Sequence, residues 1–560
     1  MTQPAKSKLP LIVALLFFTI VACRLTATPA PSTPVSQATT GARAATATAP
    51  ATAAVAATAS GGETPETARA PATSPPPSDL PGDDFAPVAL PLPESGLFDF
   101  AWQDRGPYES GLVDPDEAHL PQLQGASVYH MDLELSSDAG RLEGRQEILY
   151  TNQEDGPLQE VYFRLFPNLA GGQTSIAGLW LNGQAVLPTY ELRDSAMRVP
   201  LQPPLAPGEA VVVSMNYTVE IPTEGGGNYG TFIFNRDILA LAHFYPMIAV
   251  YDDEGWNLEI APESGDVVYA DSSFYLVRFN APAGMRLAAS GVEIAGGAGG
   301  ERQEVTYAAG PARDFYIAGS AGFDVYSEVV GSTLVNSYAF PERETRARDV
   351  LDWAVASLQS FEAQIGPYPY TELDLVTTPT LALGVEYPGI IAMNMDLYDP
   401  QASPLPPAVL ESTTAHEVAH QWFYAVVGND QLDDPWLDEA LAQYATYLYF
   451  LDTGGEEAAE GFRSSLERRW QAVDREEIPI GRPVAAYQGP EYSAIVYGRG
   501  PLFFEALAQT MGDDIFSAFL QDYYRRLRWD IATPERLQTI AEEHCRCDLG
   551  PLFIEWVYDE

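Results

Sequence analysis

Two histidines four residues apart enclose a glutamate in His416-Glu417-Val418-Ala419-His420. On a helix, positions four apart lie one turn, about 6 Å, apart on the same face. Two imidazoles so placed can grip one metal ion, and Glu417 beside them can reach the water such an ion activates. The bland alternative is a solvated helix with two incidental histidines, and the neighbours weaken it. Val418, Ala419, Trp422, Phe423, Val426 and Val427 make this a buried helix, which Gly428 can stop. Asp434 then suits an N-cap, with Pro435 at the first position of a second helix. A helix-turn-helix of this kind can fold Glu439 back towards the two imidazoles. His416, His420 and Glu439 would then give a His2Glu set with a fourth position left for water. That is the layout of a catalytic rather than a structural site, with one Zn2+ per chain.

With these residues in place, the chain resembles the gluzincin metalloaminopeptidases of the aminopeptidase N and leukotriene hydrolase type. Their pattern is H-E-x-x-H, eighteen residues, then Glu; here residues 421–438 are the eighteen and Glu439 closes it. The surrounding His420-Gln421-Trp422-Phe423 and Trp436-Leu437-Asp438-Glu439 also look similar. Upstream, the family's Gly-x-Met-Glu-Asn segment corresponds to Leu383-Gly384-Val385-Glu386-Tyr387-Pro388, which keeps only the glutamate in register. Downstream, its Tyr-x-Lys-Gly corresponds to Tyr497-Gly498-Arg499-Gly500, with Tyr492 just before it.

The resemblance spans residues 125–560 and implies an N-terminal, saddle-like all-β domain followed by a thermolysin-like zinc metallopeptidase catalytic domain. It implies Glu417 as general base, Tyr497 as a hydrogen-bond donor to the tetrahedral oxyanion, and Glu386 as the carboxylate that pairs with a substrate's free α-ammonium. On its residues alone, Tyr497 reads first as a core or interface tyrosine, and Glu386's alternative reading is a surface glutamate at a strand end. Arg499 receives no role. Larger members continue with further domains for which this sequence leaves no room after Tyr497, so a more open site is expected.

The elements that must position these residues follow from periodicity. From residue 125 the pattern alternates: Met131, Leu133 and Leu135 lie on one face, Val211 to Ile221 is rich in β-branched residues, and Phe274 to Phe279 in aromatic and apolar ones. Gly225-Gly226-Gly227 and the stretch from Gly296 to Gly300 punctuate these runs. After Pro341 the period turns helical, with Val350, Ala354, Leu358 and Phe361 on one face, and Leu373 to Ile391 can supply strands. The expected architecture is α+β and multidomain, with a β-domain over 96–330 and a catalytic domain over 331–560.

Composition bounds the partners. The chain has 560 residues, 46% hydrophobic, enough for two or more packed domains. A net charge of -47 repels nucleic acid and anionic lipid headgroups. Residues 1–23 read as a targeting signal: Lys6 and Lys8, an apolar run to Ala22, then Cys23, which resembles the lipidated cysteine of bacterial lipoproteins. Residues 24–95, rich in Ala, Thr, Pro and Ser, read as a disordered tether. The expected location is the cell envelope, outside the cytoplasm, with a lipid anchor in the membrane. Cys545 and Cys547 are too few for a disulfide framework; they read as two thiols or a strained bridge near a helix end rather than as a metal or redox pair. The expected function is aminopeptidase action on extracytoplasmic peptides. Two alternatives stand beside it: a metallopeptidase without strict N-terminal specificity, and an inactive metal-binding surface protein that uses its β-domain for adhesion.

Overall fold

The computed structural model describes residues 93–113, 120–225, 227–262, 265–401, 403 and 405–558. The chain divides into Met1–Ala86 and Pro87–Glu560. The targeting signal, Cys23 and the tether up to residue 92 lie outside the described residues.

The alternating segments form an eight-stranded sheet. Its spatial order is Val292–Gly299, Arg302–Ala312, Ser273–Pro282, Val128–Leu135, Arg141–Thr151, Ala210–Glu220, Gln173–Leu181 and Gln184–Ala185. Neighbours are antiparallel except Val128–Leu135 against Ser273–Pro282, which run parallel. Because successive side chains point to opposite faces, one strand can serve two cores. Met131, Leu133, Leu135, Tyr275, Val277 and Phe279 join residues of two four-stranded sheets in a core within the β-domain. Phe274, Leu276, Leu149 and Val212, on the other face, join the core of the helical half. The β-domain is thus a platform with one side committed to the rest of the molecule.

The second half has its own five-stranded sheet, in the order Asp324–Val330, Thr333–Ala339, Glu372–Thr378, Ile390–Asn394 and Gly384–Tyr387. Its first strand pairs with Thr333–Ala339, so this sheet opens at Asp324, before the boundary at 331 drawn from the change of period. The three central strands are parallel and the outer two antiparallel. Helix α1, Glu344–Gln364, buries Val350, Ala354, Leu358 and Phe361, the face its period predicts. Helices α2, Pro407–Ala419, and α3, Trp436–Trp470, carry the zinc motif, and α4, Gly500–Met511, follows a short π-helical turn at Ile495–Arg499.

Two local expectations are corrected. Helix α2 ends at Ala419 with His420 as its C-cap, well before Gly428. Helix α3 takes Pro435 as its N-cap, one residue later than Asp434. Cys545 ends the helix Pro534–Cys545 and is bridged to Cys547.

Phe274 is fully buried in the core shared by the sheet and the helical half. Phe274→Ala is expected to lower stability in urea unfolding by about 3–5 kcal/mol, the cost of emptying a packed aromatic site. A loss below about 1 kcal/mol would mean that this face does not hold the two halves together.

Candidate active site

Helix α2 starts at Pro407 after an extended Pro406, where proline's missing N–H and fixed φ suit the first turn. From Thr413 to Ala419 every residue is buried, so His416 and Glu417 are carried into the interior by packing around the whole helix. The helix stops after Ala419, and the chain turns sharply. The Ala425 N–H donates to the His420 carbonyl and the Tyr424 N–H to the Val427 carbonyl, with Tyr424 held at φ 127°. Helix α3 then begins with Trp436, Leu437, Asp438 and Glu439, all buried, its two acids favourably placed in the first turn.

This returns Glu439 to the imidazoles. The His416 Nε2 and Glu439 Oε2 atoms are 3.1 Å apart, His420 Nε2 and Glu439 Oε2 3.4 Å, and the two Nε2 atoms 3.3 Å. In a tetrahedral site with zinc–ligand distances of 2.0–2.1 Å, neighbouring ligand atoms stand about 3.3–3.4 Å apart. The three donors therefore form one face of such a tetrahedron and fit Zn2+. The tautomer fits as well. A carbonyl can only accept, so His420 Nδ1 donates its proton to the Phe423 carbonyl at 3.0 Å, and in the neutral imidazole it is Nε2 that keeps the lone pair a metal needs. Glu439 Oε2 has no hydrogen-bond partner among the described residues, as befits an atom reserved for a cation.

The remaining expected residues converge on the same spot. Glu417, buried, has its pKa raised well above the usual carboxylate range by loss of solvent and by the nearby Glu386 and Glu439. It lies against the backbone of Gly384, where a β-carbon would stand 2.5 Å from its carboxyl carbon. Glu386 lies on the edge strand Gly384–Tyr387, and its carboxylate comes within 4.8 Å of Glu417 and His420 donor atoms. The register of that strand is set by Gln421, which follows His420. Its Nε2 donates to the Tyr387 carbonyl at 3.0 Å, and its Oε1 accepts from the Gly389 N–H at 2.9 Å. Burial raises the Glu386 pKa, and its Oε1 accepts a 3.0 Å hydrogen bond from Gln431 Nε2.

Tyr497 sits in the π-helical turn, a distortion often found at functional sites. Its hydroxyl donates to Glu439 Oε1 at 2.5 Å, and its ring lies 6.0 Å from that of His416. Burial and Glu439 raise its pKa well above 10, so the phenol stays a donor. Gly500 lets this segment approach α3: a β-carbon there would stand 2.6 Å from Cβ of Ala440, the neighbour of Glu439. Arg499 lies outside the site. It is buried and donates to the carbonyls of Ile478, Trp556 and Glu555, fastening the C-terminal segment.

Three residues escaped sequence reasoning. Asp438 accepts from Gln431 Nε2 at 2.9 Å, beside Glu386. Gln431, between the two helices, carried no signal at all. Asp266 comes from an irregular loop of the β-domain. It is half-buried, and its pKa is raised well above the usual range by loss of solvent and by Glu386 and Glu439. Only Asp438, within the quoted Trp436–Glu439 run, was open to notice.

Residues 350–556 match the model of the peptidase family M1 domain. The helical half is thus similar to an M1 peptidase domain. Among relatives, Aminopeptidase M1-B of Oryza sativa subsp. japonica is 27% identical over 254 residues, covering 41% of this chain and 28% of that protein. Probable aminopeptidase 2 of Sulfurisphaera tokodaii is 24% identical over 270 residues, covering 46% and 34%. The aligned region is thus well under half the length of these relatives. A solved M1 zinc metallopeptidase from Deinococcus radiodurans superposes with a TM-score of 0.55 at 20% identity, over 78% of this chain and 94% of that one. A mutant form of the Deinococcus radiodurans M1 zinc metallopeptidase, solved with a Tyr-Ser-Ala substrate, gives a TM-score of 0.56 at 19% identity. The β-domain followed by the helical half is therefore a two-domain fold already seen.

The Gly384 contact yields a prediction. Gly384→Ala forces the Glu417 carboxylate aside without touching a metal donor. Zinc content by atomic absorption is expected to stay at one per chain while kcat falls about 10²-fold or more, the cost of misplacing a reacting group if Glu417 is one. An unchanged kcat would show that Glu417 does not depend on this contact.

Proposed function

We propose that this protein is a zinc-dependent aminopeptidase that releases N-terminal residues from peptides. The observation that carries the reading is the triangle of His416, His420 and Glu439 donor atoms with Glu417 and Glu386 both beside it. When bound, Zn2+ supplies a Lewis acid that polarises the scissile carbonyl and lowers the pKa of a water. Glu417 accepts the proton of the attacking water and returns it to the departing amine. Tyr497 exchanges its hydrogen bond to Glu439 for one to the oxyanion, which it can do only because it stays protonated.

The charge balance supports exopeptidase action. Glu386, Glu417, Glu439, Asp438 and Asp266 are close enough to perturb one another. Even after a divalent cation binds, the pocket retains an excess of carboxylates. A peptide's α-ammonium is a cation of the right size to meet Glu386 and Asp266 there, where both partners have lost solvent.

Glu417→Ala is expected to keep one zinc per chain and lose turnover of Ala- and Leu-p-nitroanilide by about 10⁴-fold or more. Wild-type protein should cleave a free tripeptide and leave its N-acetylated form intact, and Glu386→Gln should raise KM for the free peptide. Equal cleavage of both forms would favour a metallopeptidase without strict N-terminal specificity. No cleavage by zinc-loaded wild type would favour the inactive surface protein.

The same proposal places the enzyme outside the cytoplasm, held by a lipid on Cys23. Its support is the Lys6, Lys8 and apolar run that ends at Ala22 before that cysteine. Among the described residues no helix is long and apolar enough to cross a membrane. Cells expressing the full chain should incorporate labelled fatty acid into the protein, and Cys23→Ala should abolish the label and release the protein from membranes. Equal membrane retention without label would overturn the lipid.

A further inference from the structure

The sharp turn after His420 is held from outside its own domain. Arg313, at the end of the β-domain strand Arg302–Ala312, is fully buried, and its guanidinium donates to four main-chain carbonyls. Nε reaches Tyr424 at 2.7 Å, Nη1 reaches Ala270 at 3.1 Å, and Nη2 reaches Val426 at 3.1 Å and Asp530 at 2.6 Å. The next residue, Asp314, is buried too. Its Oδ2 accepts from the Tyr424 hydroxyl at 3.0 Å and lies 3.0 Å from His243 Nε2. Tyr424 therefore has its carbonyl held by Arg313 and its hydroxyl by Asp314, and it is the residue forced to φ 127°. A tyrosine does not keep that backbone conformation unless its surroundings impose it. Gly428 leaves the space the guanidinium occupies: a β-carbon there would stand 2.0 Å from Arg313 Cζ.

The turn has one chemical output. It places the Phe423 carbonyl 3.0 Å from His420 Nδ1, fixing which nitrogen of that imidazole faces Glu439 and at what angle. His416 Nδ1 has no corresponding partner among the described residues. We propose that Arg313 and Asp314 are positioning residues for the metal site: through the strained turn at Tyr424 they hold the Phe423 carbonyl that orients His420. The inference rests on His420 being a zinc ligand. It assigns the β-domain a part in metal binding although it contributes no donor.

The test uses the full chain, metal-free and then loaded with zinc or cobalt, in three variants that reach the turn by different routes. Tyr424→Phe removes one hydroxyl, Arg313→Lys removes most of the carbonyl contacts, and Gly428→Ala displaces the guanidinium. Zinc affinity is read by competition with a chromophoric chelator and donor geometry by the visible absorption of the Co2+ form. Loss of a group that orients a ligating histidine typically weakens metal binding 10- to 100-fold. A loss of about tenfold or more, with altered cobalt bands in protein that remains folded by circular dichroism, supports the proposal. A merely structural role would lower the unfolding temperature and leave both metal readouts unchanged, and that result overturns it. If Arg313→Lys or Gly428→Ala does not fold, Tyr424→Phe decides by the same readouts. Wild-type protein that takes up no zinc overturns the metal reading itself, and this inference with it; variants that match a zinc-binding wild type overturn the inference alone.

Discussion

Two imidazole nitrogens and a carboxylate oxygen held within 3.1–3.4 Å of one another in a dry interior are an arrangement a folded chain does not adopt without cause. With both imidazoles neutral and their protons on Nδ1, each atom presents a lone pair, and none can satisfy the others. Taking a carboxylate out of water costs several kcal/mol unless a cation answers it. Glu439, with its Oε2 otherwise unpartnered, is answered when a metal ion sits between it and the imidazoles. Much of the helical half serves to impose that meeting. Helix α2 ends early enough for His420 Nδ1 to donate to the Phe423 carbonyl, helix α3 begins with buried acids, and Gly500 lets the Tyr497 turn press against Ala440.

The same logic extends outward in charge. Glu386, Asp438 and Asp266 add acidic side chains to a pocket that already holds Glu417 and Glu439, and Gln431 ties Glu386 to Asp438 through a single amide nitrogen. A structural core does not gather five acids without partners for them. Low solvent content strengthens each attraction to a cation while forbidding the acids to stand unpaired, which is the charge balance on which the proposed recognition of a peptide's α-ammonium rests.

Much of this was legible in the sequence. The spacing of His416, His420 and Glu439 is chemical information carried directly by residue type, and the periods of 131–135 and 350–361 are burial patterns that no tertiary context overrode. What failed was local. Gly428 reads as a helix stop by its residue type, yet its lack of a side chain serves the guanidinium of Arg313, more than a hundred residues away in sequence. The strand Asp324–Val330 lies before the boundary at 331 and is largely exposed, with no alternation in its burial, so only its pairing shows which sheet it joins. Asp266 and Gln431 lie in irregular segments where no period exists to be read.

Several of the invisible residues share a feature that explains why they were invisible. Arg313, Tyr229 and Asp266 belong to the β-domain, and each acts on the metal half through main chain or by charge; Asp314 beside Arg313 adds one side-chain contact, to the Tyr424 hydroxyl. The Tyr229 carbonyl accepts from the Leu381 N–H at 2.8 Å and its hydroxyl from the Gly265 N–H at 2.8 Å, so one residue joins the loop beside Gly384 to the loop that carries Asp266. Contacts to main chain impose no demand on the partner's residue type and so leave no pattern in sequence. They do impose geometry: a residue such as Tyr424, in a sparsely populated conformation costing about 1–3 kcal/mol, persists only where several bonds over-determine it. The β-domain supplies those bonds. A catalytic half cut away from it would keep every metal donor and lose the carbonyl clamp that aims one of them. That is a physical reason for the two halves to share a core rather than a flexible joint.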